Sequence, residues 1–229
     1  MRSLAFLAAP AALLGAPAAA LPVEYDGIVF PAGDVSFADA VVSADLGAGT
    51  TIPAGDPNDD PAEALGPPSP DEAAYTLGVG GSIVLRFVDN ALSGSGDAAD
   101  DLHVFEVGPD VEDTFVAISV DGAPGSFLEV GKVFGATASI DIDPFLGPAG
   151  FDAFTAFSYV RLTDDPDEGA GNPGSLYAGA DIDALGAIRS VAPPPPPGDG
   201  VVPGRFVDGL SSLWQGSSIE EVRKGETVR

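Results

Sequence analysis

The chain has 229 residues, 45% of them apolar, which is enough for one sizeable core and a tail; it carries 30 glycines, 22 prolines and no cysteine. Glycine and proline at that density exclude an architecture of long helices and favour short strands joined by tight turns, while the lack of cysteine excludes disulfides, thiolate metal sites and a cysteine nucleophile. The formal charge of −26 sets up a field that repels phosphate backbones and anionic lipid and attracts cations, so no nucleic-acid partner is expected.

Residues 1–20 read as a secretory signal peptide: Met1-Arg2 gives a positive start, residues 4–16 an apolar run, and Ala18-Ala19-Ala20 a small-residue cleavage site before Leu21. Pro10 and Pro17 interrupt the run, and nothing else approaches the roughly 20 apolar residues of a spanning helix. A secreted or cell-surface protein with no membrane span in its mature chain is therefore expected. Between Leu21 and Ala192 there are 30 Asp or Glu against only Arg86, Lys132, Arg161 and Arg189, so this domain holds the whole charge deficit.

A lead-in stretch precedes a first strand at residues 37–44, and a long proline-rich acidic loop follows at 47–78, where Asp56, Asp59 and Asp60 could share a cation or make turn bonds to the backbone. In the next run Ile83, Leu85 and Phe87 alternate with Ser82, Val84 and Arg86, the pattern of an inner strand. An acidic, glycine-rich loop with Asp97, Asp100 and Asp101 leads into residues 102–107, with Leu102, Val104 and Glu106 on one face and His103, Phe105 and Val107 on the other. Residues 113–122 form a strand closing at Asp121-Gly122, a hairpin signal. β runs are expected at 127–135 and 139–145, and two strands, from Tyr159 and from Gly179, flank a further acidic glycine-rich loop. About eight strands at this spacing predict an all-β fold, a two-sheet antiparallel β-sandwich of the jelly-roll kind over residues 21–190. Residues 191–200 are a Pro-rich linker, stiffened by Pro193 to Pro197 as polyproline II, and residues 201–229 a tail that is either a short helix or poorly ordered.

Oxygen-rich loops with no cysteine point to a hard cation, and calcium, with six to eight oxygen ligands, is the expected one. Asp-Ile-Asp occurs twice, at 141–143 and 181–183. In a strand, residues i and i+2 share a face, so each pair presents two carboxylates that repel unless neutralised. The second pair is favoured over the first: if the strands from Tyr159 and Gly179 pair, Asp164 and Asp165 join Asp181 and Asp183 as ligands, with Asp167 nearby. Arg161 or backbone amides are the competing partners for these carboxylates. Asp100, Asp101 and Glu106 form a second choice, although no EF-hand spacing is present. Glu106 shares its face with Leu102 and Val104, so either that face becomes wet at its end or Glu106 is paired inside, with Lys132 or Arg86 as partner.

Catalysis is poorly supported. His103 is the only histidine, and no serine sits in a Gly-x-Ser-x-Gly elbow. Carboxylates are so abundant that some lie at glycosidase-like separations by chance. Tyr75, Tyr159, Tyr177, Phe127 and Phe145 are candidate sugar platforms, against a core role for each.

Residues 64–122, 130–143, 159–165 and 179–188 resemble exported bacterial proteins that carry a PEP-CTERM or VPLPA-CTERM type sorting signal, described as cell-surface or extracellular proteins of unknown function. More distantly the layout is similar to the galactose-binding-like (discoidin-type) jelly roll, in which a metal often supports the loops. The tail departs from the sorting pattern: Val202-Pro203-Gly204 is followed by a polar, mixed-charge end with no apolar helix. The expected function is a non-catalytic, calcium-assisted module for extracellular glycan or matrix. The alternatives are a structural surface or biofilm component without a small ligand, and a carboxylate-dependent hydrolase.

Overall fold

The computed structural model describes residues 20–71, 73–107, 112–134, 138–168 and 175–194. The expected signal peptide, apart from Ala20, the proline-rich linker beyond Pro194 and the tail at 201–229 lie outside them. In chain order the strands are β1 (Val23–Tyr25), β2 (Ile28–Phe30), β3 (Ala40–Asp45), β4 (Tyr75–Thr76), β5 (Ser82–Arg86), β6 (Ala91–Leu92), β7 (Leu102–Glu106), β8 (Thr114–Ser119), β9 (Leu128–Val133) and β10 (Ser139–Ile140). A helix α1 (Asp143–Ala149) follows, then β11 (Tyr159–Asp164), β12 (Asp181–Ala187) and β13 (Ser190–Val191).

The two main sheets are antiparallel, a five-stranded one in the order β3-β5-β11-β8-β9 and a four-stranded one in the order β10-β7-β12-β4. This is the expected all-β antiparallel sandwich. Period-2 alternation builds it: in β11, Val160 and Leu162 are fully buried while Tyr159, Arg161 and Thr163 face outward. Ile83, Leu85, Val116, Ile118, Val160 and Leu162 from one sheet share a core with Leu102, Val104 and Leu185 from the other. Each such side chain contributes roughly 1.5–3 kcal/mol by leaving water.

The structure departs from the sequence expectation in three places. First, the lead-in stretch is a hairpin, β1 paired with β2 around Asp26 (φ 50°) and Gly27 (φ 82°), so both central residues adopt the left-handed conformation that a two-residue Asp-Gly turn demands. Its Phe30 caps a second cluster with Phe37, Phe105 and Ala184, so β7 is buried on both faces. Secondly, the β run expected at 139–145 stops after Ile140 and becomes α1. Pro144 cannot donate to a ladder and suits a first helical turn, and Gly150 at φ 86° closes the helix by donating to the Leu146 and Gly147 carbonyls. Thirdly, β11 and β12 do not pair: β11 lies between β5 and β8, and β12 between β7 and β4, in different sheets.

Candidate metal centre

Strand register assembles the site. β10 runs antiparallel to β7 with Ser139 opposite His103 and Ile140 opposite Leu102. Extending the ladder by one step places Asp101, just before β7, beside Asp141, just after β10. The Asp101 amide donates to the Ile140 carbonyl at 2.9 Å. Asp143 then opens α1 one turn further on.

Asp101, Asp141 and Asp143 each bring a carboxylate oxygen within 4.8 Å of the others. Asp101 is 0% exposed, and its backbone is clamped, its carbonyl accepting from the amides of Ile188 (2.7 Å) and Arg189 (3.0 Å). Its Oδ2 accepts from the Ile142 amide at 3.0 Å, whereas its Oδ1 is buried with no hydrogen-bond partner. Asp143 Oδ2 accepts from the Gly96 amide (2.7 Å) and the Ser95 hydroxyl (3.0 Å), and Asp141 Oδ1 accepts from the Asp143 amide at 3.0 Å. Gly94 lies so close to Asp143 Oδ1 that a Cβ at this position would collide with it, which explains the glycine.

Burial pushes the Asp101 carboxyl up to about 6; the Ile142 amide and the Ser95 hydroxyl pull the other way, and the charges of Asp143 and Asp141 add to the rise. At neutral pH the group is therefore mostly ionised, in a place that disfavours its charge. The donors are all oxygen, and the Ser95 hydroxyl also approaches the carbonyls of Asp97 (3.3 Å) and Ala99 (3.4 Å). Carboxylates with neighbouring carbonyls and a hydroxyl match a hard cation of the calcium or magnesium kind rather than one that prefers nitrogen or sulfur.

The residues favoured from sequence are placed differently. Asp164 is buried and accepts from the amides of Gly80 (2.8 Å) and Ala180 (2.9 Å). Asp165 pairs with Lys132 at 2.8 Å, which lowers its pKa. Asp181 accepts from the Thr76 hydroxyl across the β12–β4 ladder. Asp183 sits at a β-bulge in β12 and accepts from the Ser69 amide at 2.9 and 3.1 Å. The two carboxylates of this Asp-Ile-Asp are thus taken by different segments. Burial raises the pKa of Asp164 and Asp181, and that of Asp183 to about 6.

Asp100 is exposed and stands outside the triad. Glu106 pairs with neither Lys132 nor Arg86: its Oε1 accepts from the Glu112 amide at 3.0 Å and its Oε2 is buried without a partner. In the long loop, Asp56 and Asp60 accept from the amides of Asn58 (3.1 Å) and Ala62 (3.0 Å), closing turns.

His103 Nδ1 lies 2.7 Å from the Ser139 hydroxyl, and its ring stands edge-on to Phe105 with centroids 4.4 Å apart. Of the candidate platforms, Tyr75 is in the core, Tyr159 lies under Arg86, Tyr177 donates to Asp56 at 3.1 Å, and Phe127 lies under Arg161. Phe145 is 37% exposed. Among the described residues no helix is long and apolar enough to cross a membrane.

The chain matches no known protein-family model and no curated protein sequence.

Proposed function

We propose that this domain is a non-catalytic extracellular binding module for glycan or matrix, whose loop at 93–101, strand β10 and helix α1 are locked together by a calcium-class cation at Asp101, Asp141 and Asp143. The observation that carries this reading is the buried Asp101 carboxylate: its Oδ1 has no hydrogen-bond partner, and the group brings an oxygen within 4.8 Å of carboxylate oxygens of Asp141 and Asp143. A buried acceptor without a partner costs about 1–3 kcal/mol, more when charged, and a divalent ion would satisfy it and neutralise its neighbours together. The apparent signal peptide of residues 1–20 supports export to a compartment where calcium is abundant.

Thermal melts in EDTA and in about 2 mM calcium test it. Extracellular modules bind calcium with Kd on the order of 10⁻⁴–10⁻³ M, so mass action at the tighter end adds about 2 kcal/mol. That is a rise of several degrees for a domain this size. Asp101→Asn, which keeps an acceptor for the Ile142 amide but removes charge, should abolish the calcium-dependent rise without lowering the melting temperature in EDTA. An identical melting temperature in EDTA and calcium for the wild type would remove the metal from the account.

A further inference from the structure

The outer face of the five-stranded sheet carries a groove of about 820 Å³, lined by Ser82, Arg161, Thr163, Phe115, Lys132 and Glu129 of the sheet together with Phe145 of α1. Register explains the gathering. Thr163 lies opposite both Ser82 and Phe115, Phe115 opposite Lys132, and Arg161 opposite Ala117, which faces Glu129 in turn. Cross-strand partners project to the same side, so these side chains share one surface. Phe115 is 38% exposed.

The charge distribution here differs from that of the rest of the domain. Three of the four basic residues between Leu21 and Ala192, namely Arg86, Lys132 and Arg161, lie on strands of this sheet. Those lining the groove are compensated locally: Arg161 pairs with Glu129 at 3.0 Å, and Lys132 pairs with Asp113 and Asp165. The groove therefore offers guanidinium and ammonium donors beside carboxylate and hydroxyl acceptors, with little net charge. A polyanion would be repelled by the −26 of the chain, and a polycation would find stronger attraction on the acidic loops. Ring hydroxyls that both donate and accept, on a ring with apolar C–H faces, complement paired charges flanked by phenyl groups.

We infer that this groove is the ligand site, and that its occupant is an uncharged polysaccharide of hexose rings. This deepens the binding-module reading proposed above and rests on it for the ligand class. Helix α1 links the groove to the metal centre, since Asp143 is its first residue, Phe145 lines the groove and Leu146 anchors it in the core.

Affinity electrophoresis of the full chain in gels containing soluble β-glucan, galactomannan or polygalacturonate, each run in calcium and in EDTA, tests the inference. At least one of the two neutral polymers should retard the protein and polygalacturonate should not. Phe145→Ala and Arg161→Gln should each weaken retardation about tenfold, the scale of losing one central contact, with unchanged melting temperatures; Phe115→Ala provides a third reading should either variant fold poorly. Retardation by polygalacturonate, no retardation by both neutral polymers, or retardation unaffected by all three substitutions would each overturn it. The metal reading fails separately: a melt that ignores EDTA, together with retardation by a neutral polymer, removes the cation and leaves the groove.

Discussion

Glu106 shows how a buried carboxyl group is accommodated when it keeps its proton. It ends β7 with one oxygen on the Glu112 amide and the other unpartnered. Burial, together with the neighbouring Glu112 carboxyl, holds its pKa well above the carboxylate range, so it is protonated at neutral pH. Because the folded pKa is raised, the native state binds the extra proton, and this group's contribution to stability falls as pH rises from the ordinary glutamate value through the folded one. Glu106→Gln preserves the neutral shape. It should therefore leave the protein more stable than wild type at pH 7 and flatten the loss of stability between about pH 5 and 9, as read from urea melts across that range. A large loss at pH 7 would mean that the residue is ionised in the fold. Asp101 differs in that two further carboxylates lie close to it, and protonation of one group leaves those charges in place.

Among the elements, β5 and β11 were legible because Ile83 and Leu85, and Val160 and Leu162, recur at period 2 on one face. The pairing of β12 was not legible: nothing in residues 165–180 says whether the chain folds back on β11 or crosses to the other sheet, and that choice decides where Asp164, Asp181 and Asp183 go. The same ambiguity hid the candidate metal centre. Its two halves, the 97–101 loop and the first Asp-Ile-Asp, were each visible as candidates, but only the β7–β10 register joins them. The β1–β2 hairpin did leave a signal, Asp26-Gly27 between apolar pairs, overshadowed by the stronger strands that follow. Phe30 is 0% exposed against Phe37, with ring centroids 4.7 Å apart. Phe30→Ala should cost about 3–5 kcal/mol, measured by denaturant unfolding, while leaving the calcium-dependent rise in melting temperature intact, because the hairpin covers the opposite side of β7 from the main core. Loss of the calcium response in a folded Phe30→Ala protein would show that the two regions are coupled.

At the scale of the whole molecule, the acidic field and the buried carboxylates act in the same direction. Asp101 and Asp183 are raised to about 6, and Glu106, Glu112, Asp164, Asp181 and Asp89 are raised as well, while Asp121 and Asp165 are lowered. Raised groups predominate, so the folded state binds more protons than the unfolded one above about pH 4. The chelated protein should melt at a higher temperature at pH 5 than at pH 8. In calcium the increment over the chelated form should shrink as pH falls through about 6, where protons compete for Asp101. A calorimetric pH series in EDTA and in calcium reads both trends, and a chelated protein that loses stability steadily from pH 8 to 5 would contradict the first. Anomalous scattering from crystals grown in calcium tests for the proposed cation at the β7–β10 junction. A bound calcium gives a peak about 2.3–2.6 Å from carboxylate oxygens of Asp101, Asp141 and Asp143; no peak there, or one instead at Asp164, Asp181 and Asp183, would contradict a cation at this site.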